Sequence, residues 1–398
     1  MNTEPYDRAV ELRKTLVQGD KILAVNFASE AAELQGKDTS KAIELMPVVR
    51  NGVITNEYIG RSKVNVKDID PIASQVYNLS FKDPSKMSPE DLEDFLRKQT
   101  FDFPLWFKHV PGFDFKNIHN FNPPYIMQVA GCNFHDGSAS GGCWYCFVDD
   151  KSNDGKPGEG KTYVSIDEVI DSALYAREEL RKEYAKHGVD YKLKVLRISG
   201  GEPTIALDWI AALWQRIEER GLDFVGHLDT NLSTARFITE NFPEAMDKLA
   251  KYPIKVLTAI KGVDDINLEA NVQSNATIQQ QINALKLWVG KGFDIFPQMY
   301  NPNPMAMYNY LYMMDGIIEN FSRRVHIGPL KLYGPTTKRL QIEAQKIHTG
   351  PDRILKIKQE AWDNNYQRGC IILDDYLKKQ YGVGYKQETR SDVKLKLK

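Results

Sequence analysis

LKVLRISGGEP, Leu193 to Pro203, is a short apolar run that ends in two glycines, an acid and a proline. Aliphatic residues stopped by turn formers predict a strand that hands over to a helix. The same phrasing recurs along the chain. PYIMQVA (124–130), FVGHLD (224–229), IKVLTAI (254–260), FDIFPQM (293–299) and VHIGPLKLY (325–333) predict further strands. Amphipathic segments over 166–187, 206–220, 234–251, 277–289 and 305–320 lie between them. This alternation argues for successive βα units around a parallel sheet.

Local signals sharpen the picture. Ser165 with Glu168 reads as a capping box, and Gly188 and Gly221 stand where helix C-caps belong. Upstream, Glu4 to Val17 has helical periodicity, and Ser88-Pro89-Glu90-Asp91 is a helix start. The aromatic stretch FDFPLWFKHVPGFDF (101–115) predicts packing rather than a ligand surface. The tail from Lys386 is polar enough to fray.

Composition narrows the classes. Lys plus Arg number 52 against 53 for Asp plus Glu, so no net field draws the chain to nucleic acid or an anionic membrane. No run approaches the ~18 apolar residues of a membrane span, and the N-terminus lacks a basic flank followed by an apolar core. A soluble, cytoplasmic protein is expected. The four cysteines are too few for a secreted disulfide scaffold.

The residues that follow the strands are unusual: a cysteine loop, then GGEP, TN, KG, YNPNP and GPT. In parallel α/β folds these loops converge at the C-terminal ends of the strands, where sites are assembled. The first is GCNFHDGSASGGCWYCFVDD (131–150), with Cys132, Cys143 and Cys146 spaced C-x10-C-x2-C. Three thiols with His135 could close a Cys3His zinc site, and Cys143-Trp144-Tyr145-Cys146 could be a dithiol redox pair. Buried structural cysteines are the plain alternative. Three thiolates also suit an iron–sulfur cluster with one iron left open to an exogenous ligand. Nearby, GKPGEGKT (155–162) satisfies the phosphate-binding pattern G-x-x-x-x-G-K-[ST], which would put Lys161 and Thr162 on a nucleotide. That pattern needs a strand before the loop and a helix at the Lys-Thr, whereas DDKSND precedes it and TYVS reads as extended.

Taken together, Cys143-Trp-Tyr-Cys146 after the first strand and Ser199-Gly200-Gly201-Glu202-Pro203 after the second resemble the radical S-adenosylmethionine (SAM) superfamily. The resemblance covers about 124–339. It departs from the usual C-x3-C-x-Φ-C signature by expanding the first gap to ten residues, and the fifth-strand motif of some members has no clear match in FDIFPQMY.

The resemblance implies a partial (β/α)6 TIM-type barrel with extensions at both ends: 1–123 covering the barrel, 124–340 as core, and 341–398 as a helical C-terminal extension. It implies a [4Fe–4S] cluster held by Cys132, Cys143 and Cys146, with SAM on the open iron. SAM contacts would come from Ser199, Gly200, Gly201 and Glu202, whose acid would meet the methionine ammonium. Asp229 and Asn231 would serve the ribose or carboxylate, Lys261 the carboxylate, and Tyr145 the adenine. The expected chemistry is reductive cleavage of SAM to methionine and a 5′-deoxyadenosyl radical that takes hydrogen from a substrate. Flavodoxin or ferredoxin would supply the electron, and oxygen sensitivity follows. Candidate substrates are a small metabolite, a peptide or protein including a glycyl-radical partner, or a nucleoside, the last weakened by the balanced charge.

Other residues receive provisional roles. Cys370 could donate hydrogen to a substrate radical, although a lone Cys beside Ile-Ile-Leu is also an ordinary buried residue. His135 and Asp136 in the expanded gap could touch substrate. The basic set Arg323, Arg324, His326, Lys331, Lys338 and Arg339 could grip an anion or be a solvated face.

Overall fold

The computed structural model describes residues 4–28, 44–62, 88, 107–114, 117, 120–121, 124–138, 141–185, 190–385, 387 and 390–398. Its central feature is a mixed sheet built from β1 (Lys21–Val25), β2 (Gly60–Ser62), β3 (Tyr125–Val129), β4 (Lys161–Ser165), β5 (Val195–Gly200), β6 (Val225–Thr230), β7 (Ile254–Ile260), β8 (Asp294–Tyr300) and β9 (His326–Gly328). β3 and β5 to β9 run parallel, each beside the next in chain order. Helices bridge them: α1 (Pro5–Leu16) precedes the sheet, followed by α2 (Ile166–Ala185), α3 (Leu207–Glu219), α4 (Ala235–Asn241), α5 (Ala245–Leu249), α6 (Asp265–Asn271), α7 (Ile278–Gly290), α8 (Pro304–Ile317), α9 (Gly334–Lys346) and α10 (Pro351–Tyr381). Parallel strands in sequential order are the winding of a barrel, but β9 and β3 do not pair, so the described sheet stays open.

Each strand alternates. Leu196, Ile198, Leu228, Val256, Ile295 and Met299 turn to the helices and form the main core. Their neighbours Arg197, Ser199, His227, Asp229, Gln298 and Tyr300 turn to the opposite face and border a cavity. A parallel sheet covered on both sides usually reads as continuous apolar sequence, so polar residues on one face mark the side that holds something other than a core.

The expected strands occur within a residue or two, except that 325–333 shortens to β9, where Pro329 removes a ladder donor. The segment 234–251 divides into α4 and α5 around Pro243. The capping box holds: Ser165 N donates to Glu168 Oε2 at 2.8 Å, and Glu168 N donates to Ser165 Oγ at 3.3 Å. Gly221 follows α3 with φ +63°. Gly188 and the helix start after Ser88 lie outside the described residues. Phe107 and Phe121, with Val195, Val225 and Phe296, pack against the N-terminal ends of the strands, so the described part of the aromatic stretch does pack.

The described N-terminal residues extend the sheet itself. β1 pairs antiparallel with β4 along its full length and with β3 at Ala24 and Val129, and β2 pairs antiparallel with β3. α1 docks on the cysteine loop, with Arg8 donating to the carbonyls of His135 and Asp154. The described residues of the tail do not fray. Lys396–Leu397 pairs with Ile318–Glu319, and Arg324 Nη1 donates to the Arg390 carbonyl at 2.7 Å. Among the described residues no helix is long and apolar enough to cross a membrane.

Candidate active site

One cavity, about 200 Å³ in volume, opens at the C-terminal ends of the parallel strands and runs down their inner face. Its inner face is layered by the two-residue period of the strands. In register, Gly201, Asn231, Ala259 and Gln298 form one row, Ser199, Asp229, Leu257 and Phe296 the row below it, and Arg197 and His227 the next, while Lys261 and Tyr300 stand above them.

Cys132, Cys143 and Cys146 border this cavity at its upper end, beside Gly200 and Gly201. The loop that carries them is fixed from several sides. Cys143 pairs with Val272 in a short antiparallel bridge, and Trp144 N donates to the Asn271 carbonyl at 3.1 Å. From below, the fully buried Arg339 donates to the carbonyls of Cys143, Cys146 and Val148 and pairs with Asp150 at 2.7 Å. Amide groups approach two of the sulfurs: Asn231 Nδ2 is 3.7 Å from Cys132 Sγ, and Asn153 Nδ2 is 3.6 Å from Cys146 Sγ.

Burial, reinforced by the neighbouring thiols, pushes Cys132 well above its ordinary value. Burial also raises Cys143, while the charges of Lys261 and Arg339 pull it back. Buried thiols near cations and amide donors are the environment in which a bound metal would hold thiolates. Among the described residues no group of three or more His, Cys, Asp or Glu side chains is drawn together at the spacing a single metal ion needs.

The glycine turn explains itself by close packing. Gly201 N donates to the Val129 carbonyl at 2.9 Å, and Glu202 N to the Gly131 carbonyl at 2.8 Å. A Cβ on Gly201 would overlap the Gly131 carbonyl, and Gly200 sits at φ +107°. Two backbones meet there with no room for a side chain.

Glu202 does something other than expected. Its carboxylate is fully buried and turned away from the cavity. Oε1 accepts from Thr230 Oγ1 at 2.9 Å and from Thr204 Oγ1, and Oε2 accepts from Asn231 N at 2.6 Å. Burial pushes its carboxyl up to about 7, against those hydrogen bonds. The acid thus braces the turn against the end of β6; the backbone of Gly200 and Gly201 faces the cavity.

Tyr145 borders the cavity with its hydroxyl unpaired, 5.9 Å centroid to centroid from Tyr300. Lys261 Nζ lies over both rings, 5.2 and 5.1 Å from their centroids. Asn231 donates to Asn133 Oδ1 at 3.0 Å.

Asp229 is embedded in a network. Its Oδ2 accepts from Arg197 Nη2 and from Ser199 Oγ, both at 2.6 Å, and Oδ1 lies 3.1 Å from His227 Nε2. Burial alone would raise the Asp229 carboxyl, but Arg197 and His227 override it and hold it well below the usual range. Burial, helped by the Arg197 charge, lowers His227 to about 4. An unfolded His takes up its proton near pH ~6.5, so this contribution to stability is complete above that value and is lost as pH falls toward 4. Replacing His227 by Gln keeps a neutral polar side chain and removes the titration. The drop in melting temperature between pH 7 and pH 5 should therefore shrink relative to wild type; an unchanged drop would count against it.

Several expected residues lie elsewhere. Cys370 is on α10 beside Asp374, Lys378 and Tyr385, in a separate shallow depression, and does not border the main cavity. His135 accepts from Gly137 N through Nδ1 and meets Asp150 through Nε2 at 3.2 Å, so it is no zinc ligand as it stands. Neither His135 nor Asp136 borders the cavity. The basic set does not converge: Arg324 pairs with Asp294, Arg339 clamps the cysteine loop, and His326 stacks between Phe296 and Tyr385. The GKPGEGKT stretch is no phosphate loop, because Lys161 and Thr162 open β4 rather than a helix and Lys161 pairs with Asp154 at 2.8 Å.

Arg197 and His227 were missed from the sequence. Their signal was present: Arg in VLRIS and His in VGHLD interrupt apolar strands at the alternate positions that share a face.

The fold and site define an α/β protein with a thiol-edged cavity at the carboxyl ends of its parallel strands. Residues 129–302 match the family model of the radical SAM superfamily. Members of that superfamily are enzymes, and a partial TIM-type barrel is the fold they imply. No curated protein matches the chain.

Proposed function

We propose that the protein is a radical SAM enzyme whose cluster is held by Cys132, Cys143 and Cys146 and whose reaction chamber is the cavity on the inner face of the sheet. One observation carries this: the three thiols and the Gly200-Gly201 turn, far apart in sequence, edge the same end of one cavity. A [4Fe–4S] cluster, when bound, supplies the electron that cleaves SAM to methionine and a 5′-deoxyadenosyl radical.

The chain's own residues position and exclude. Backbone groups of Gly200 and Gly201 suit the methionine ammonium, and the Lys261 ammonium suits its carboxylate. Tyr145 presents an aromatic face for adenine beside Lys261, and Asn231, with Ser199 and Asp229 beneath it, offers polar contacts for the ribose. Apolar Leu257, Phe296 and Leu330 restrict water around the reacting end. A flavodoxin or ferredoxin suits the electron supply, and a reducing cytoplasm suits the thiols. The open sheet with α9 and α10 beside it agrees with a partial barrel.

Anaerobic reconstitution with iron and sulfide, followed by electron paramagnetic resonance of the reduced protein, tests the assignment. Equal iron and sulfide, with a spectrum that changes on adding SAM, is expected. Zinc in place of iron, or a spectrum indifferent to SAM, would remove it.

A further inference from the structure

The floor of the cavity carries a charge that the cofactor residues do not use. Arg61 stands on β2, outside residues 129–302, directly opposite Ile126 of β3. The register continues from Ile126 to Arg197 and from Arg197 to His227. Residues in register share a face, so Arg61, Arg197 and His227 form one row, and all three border the cavity.

Arg197 is answered by Asp229 at 2.6 Å. Arg61 is not answered in this way. It is 2% exposed, its Nε has no hydrogen-bond partner, and its guanidinium lies 4.9 Å above the Phe27 ring. Burial, and then the like charge of Arg197, lower it to about 9. Among the described residues that border the cavity, Asp229 is the one acid against Arg61, Arg197 and Lys261. A buried guanidinium without a counter-charge is costly, and its planar fork of donors matches an oxyanion.

We infer that Arg61, with Arg197 beside it, binds the carboxylate or phosphate of a small substrate at the closed end of the chamber. This rests on reading the cavity as the reaction chamber. Four residues separate Arg197 from Gly201, which at ~3.3 Å per residue puts the anion site about 13 Å below the glycine turn. That interval separates the anion site from the proposed SAM contacts at the glycine turn. Phe107, Phe121 and Val195 pack with Phe296 at the N-terminal ends of the strands, on the side away from the glycine turn.

The test is binding of inorganic phosphate and of succinate to the reconstituted full chain, followed by ligand-observed NMR at low ionic strength. Wild type should bind at least one of the two, which also decides between phosphate and carboxylate. Arg61→Gln should weaken it by at least about tenfold, the worth of one charge-assisted contact, with Arg61→Lys intermediate. No binding by wild type, or equal binding by Arg61→Gln, overturns the inference. Should Arg61→Gln fail to fold, arginine-labelled wild type decides. Its Arg61 Nε–H resonance, assigned as the one missing from Arg61→Lys, should shift with the anion, and a static resonance overturns the inference. Formation of 5′-deoxyadenosine by the same wild-type preparation reports separately on the proposed function. Its failure alongside Arg61-dependent binding would sink that reading and leave the anion site standing.

Discussion

Cys143→Ala should yield a folded protein that holds no intact cluster and cleaves no SAM. The side chain is buried on the cavity wall, but the hydrogen bonds that shape its loop are backbone bonds. Trp144 N to the Asn271 carbonyl, Cys146 N to the Cys143 carbonyl and the Arg339 clamp all survive removal of the sulfur. Only the thiol proposed as a ligand to iron is lost. Since even the outer partners of metal ligands are worth ~10–100-fold, losing a ligand should lower 5′-deoxyadenosine formation by at least about a hundredfold. Thermal melts by circular dichroism should change little. Cys370→Ala, on α10 and away from the cavity, should retain both iron and SAM cleavage. Iron content and activity of Cys143→Ala equal to wild type would sink the ligand assignment.

Gly201→Ala should be the most damaging alanine substitution among the described glycines. The new Cβ would overlap the Gly131 carbonyl, and neither backbone can retreat freely. Moving β5 breaks the bond from Gly201 N to Val129, and moving the cysteine loop breaks the one from Glu202 N to Gly131. The loop is also tied to Ser152 and Asn153 through Gly131 N and Cys132 N, so strain spreads into the thiol-bearing segment. Overpacking of this kind costs about 1–3 kcal/mol, and a backbone–backbone contact belongs at the top of that range. Urea unfolding should show the loss, and iron retention should fall with it because Cys132 rides on the displaced segment. A variant that unfolds and loads iron like wild type would show that the two backbones can separate.

How far these features were legible in the sequence depended on whether their cause was local. β5 to β8 could be read because apolar runs between turn formers encode their own ends. The paired glycines were legible as a turn, but that Gly201 packs against the Gly131 carbonyl was not, because Gly131 comes from another strand's loop. The direction of Glu202 could not be read, because its partners Thr230 and Asn231 come from the next strand, and no local pattern says whether an acid at a turn faces in or out.

The N-terminal strands were invisible for the same reason. β1 finds β4 across more than a hundred residues of chain, and β2 is three residues long. Arg61 therefore carried no signal until pairing put it in line with Arg197. Arg339 and Arg324 could be counted as basic but not placed, since their roles depend on carbonyls and acids brought by other elements. GKPGEGKT misled in the opposite direction: its letters fit a phosphate loop, yet TYVS is extended because it pairs with β1.

The most direct test is to incubate the anaerobically reconstituted full chain with SAM and dithionite and to measure 5′-deoxyadenosine and methionine. The account predicts both products in equal amounts, dependent on Cys132, Cys143 and Cys146. Zinc bound in place of iron, with SAM recovered intact, would contradict it.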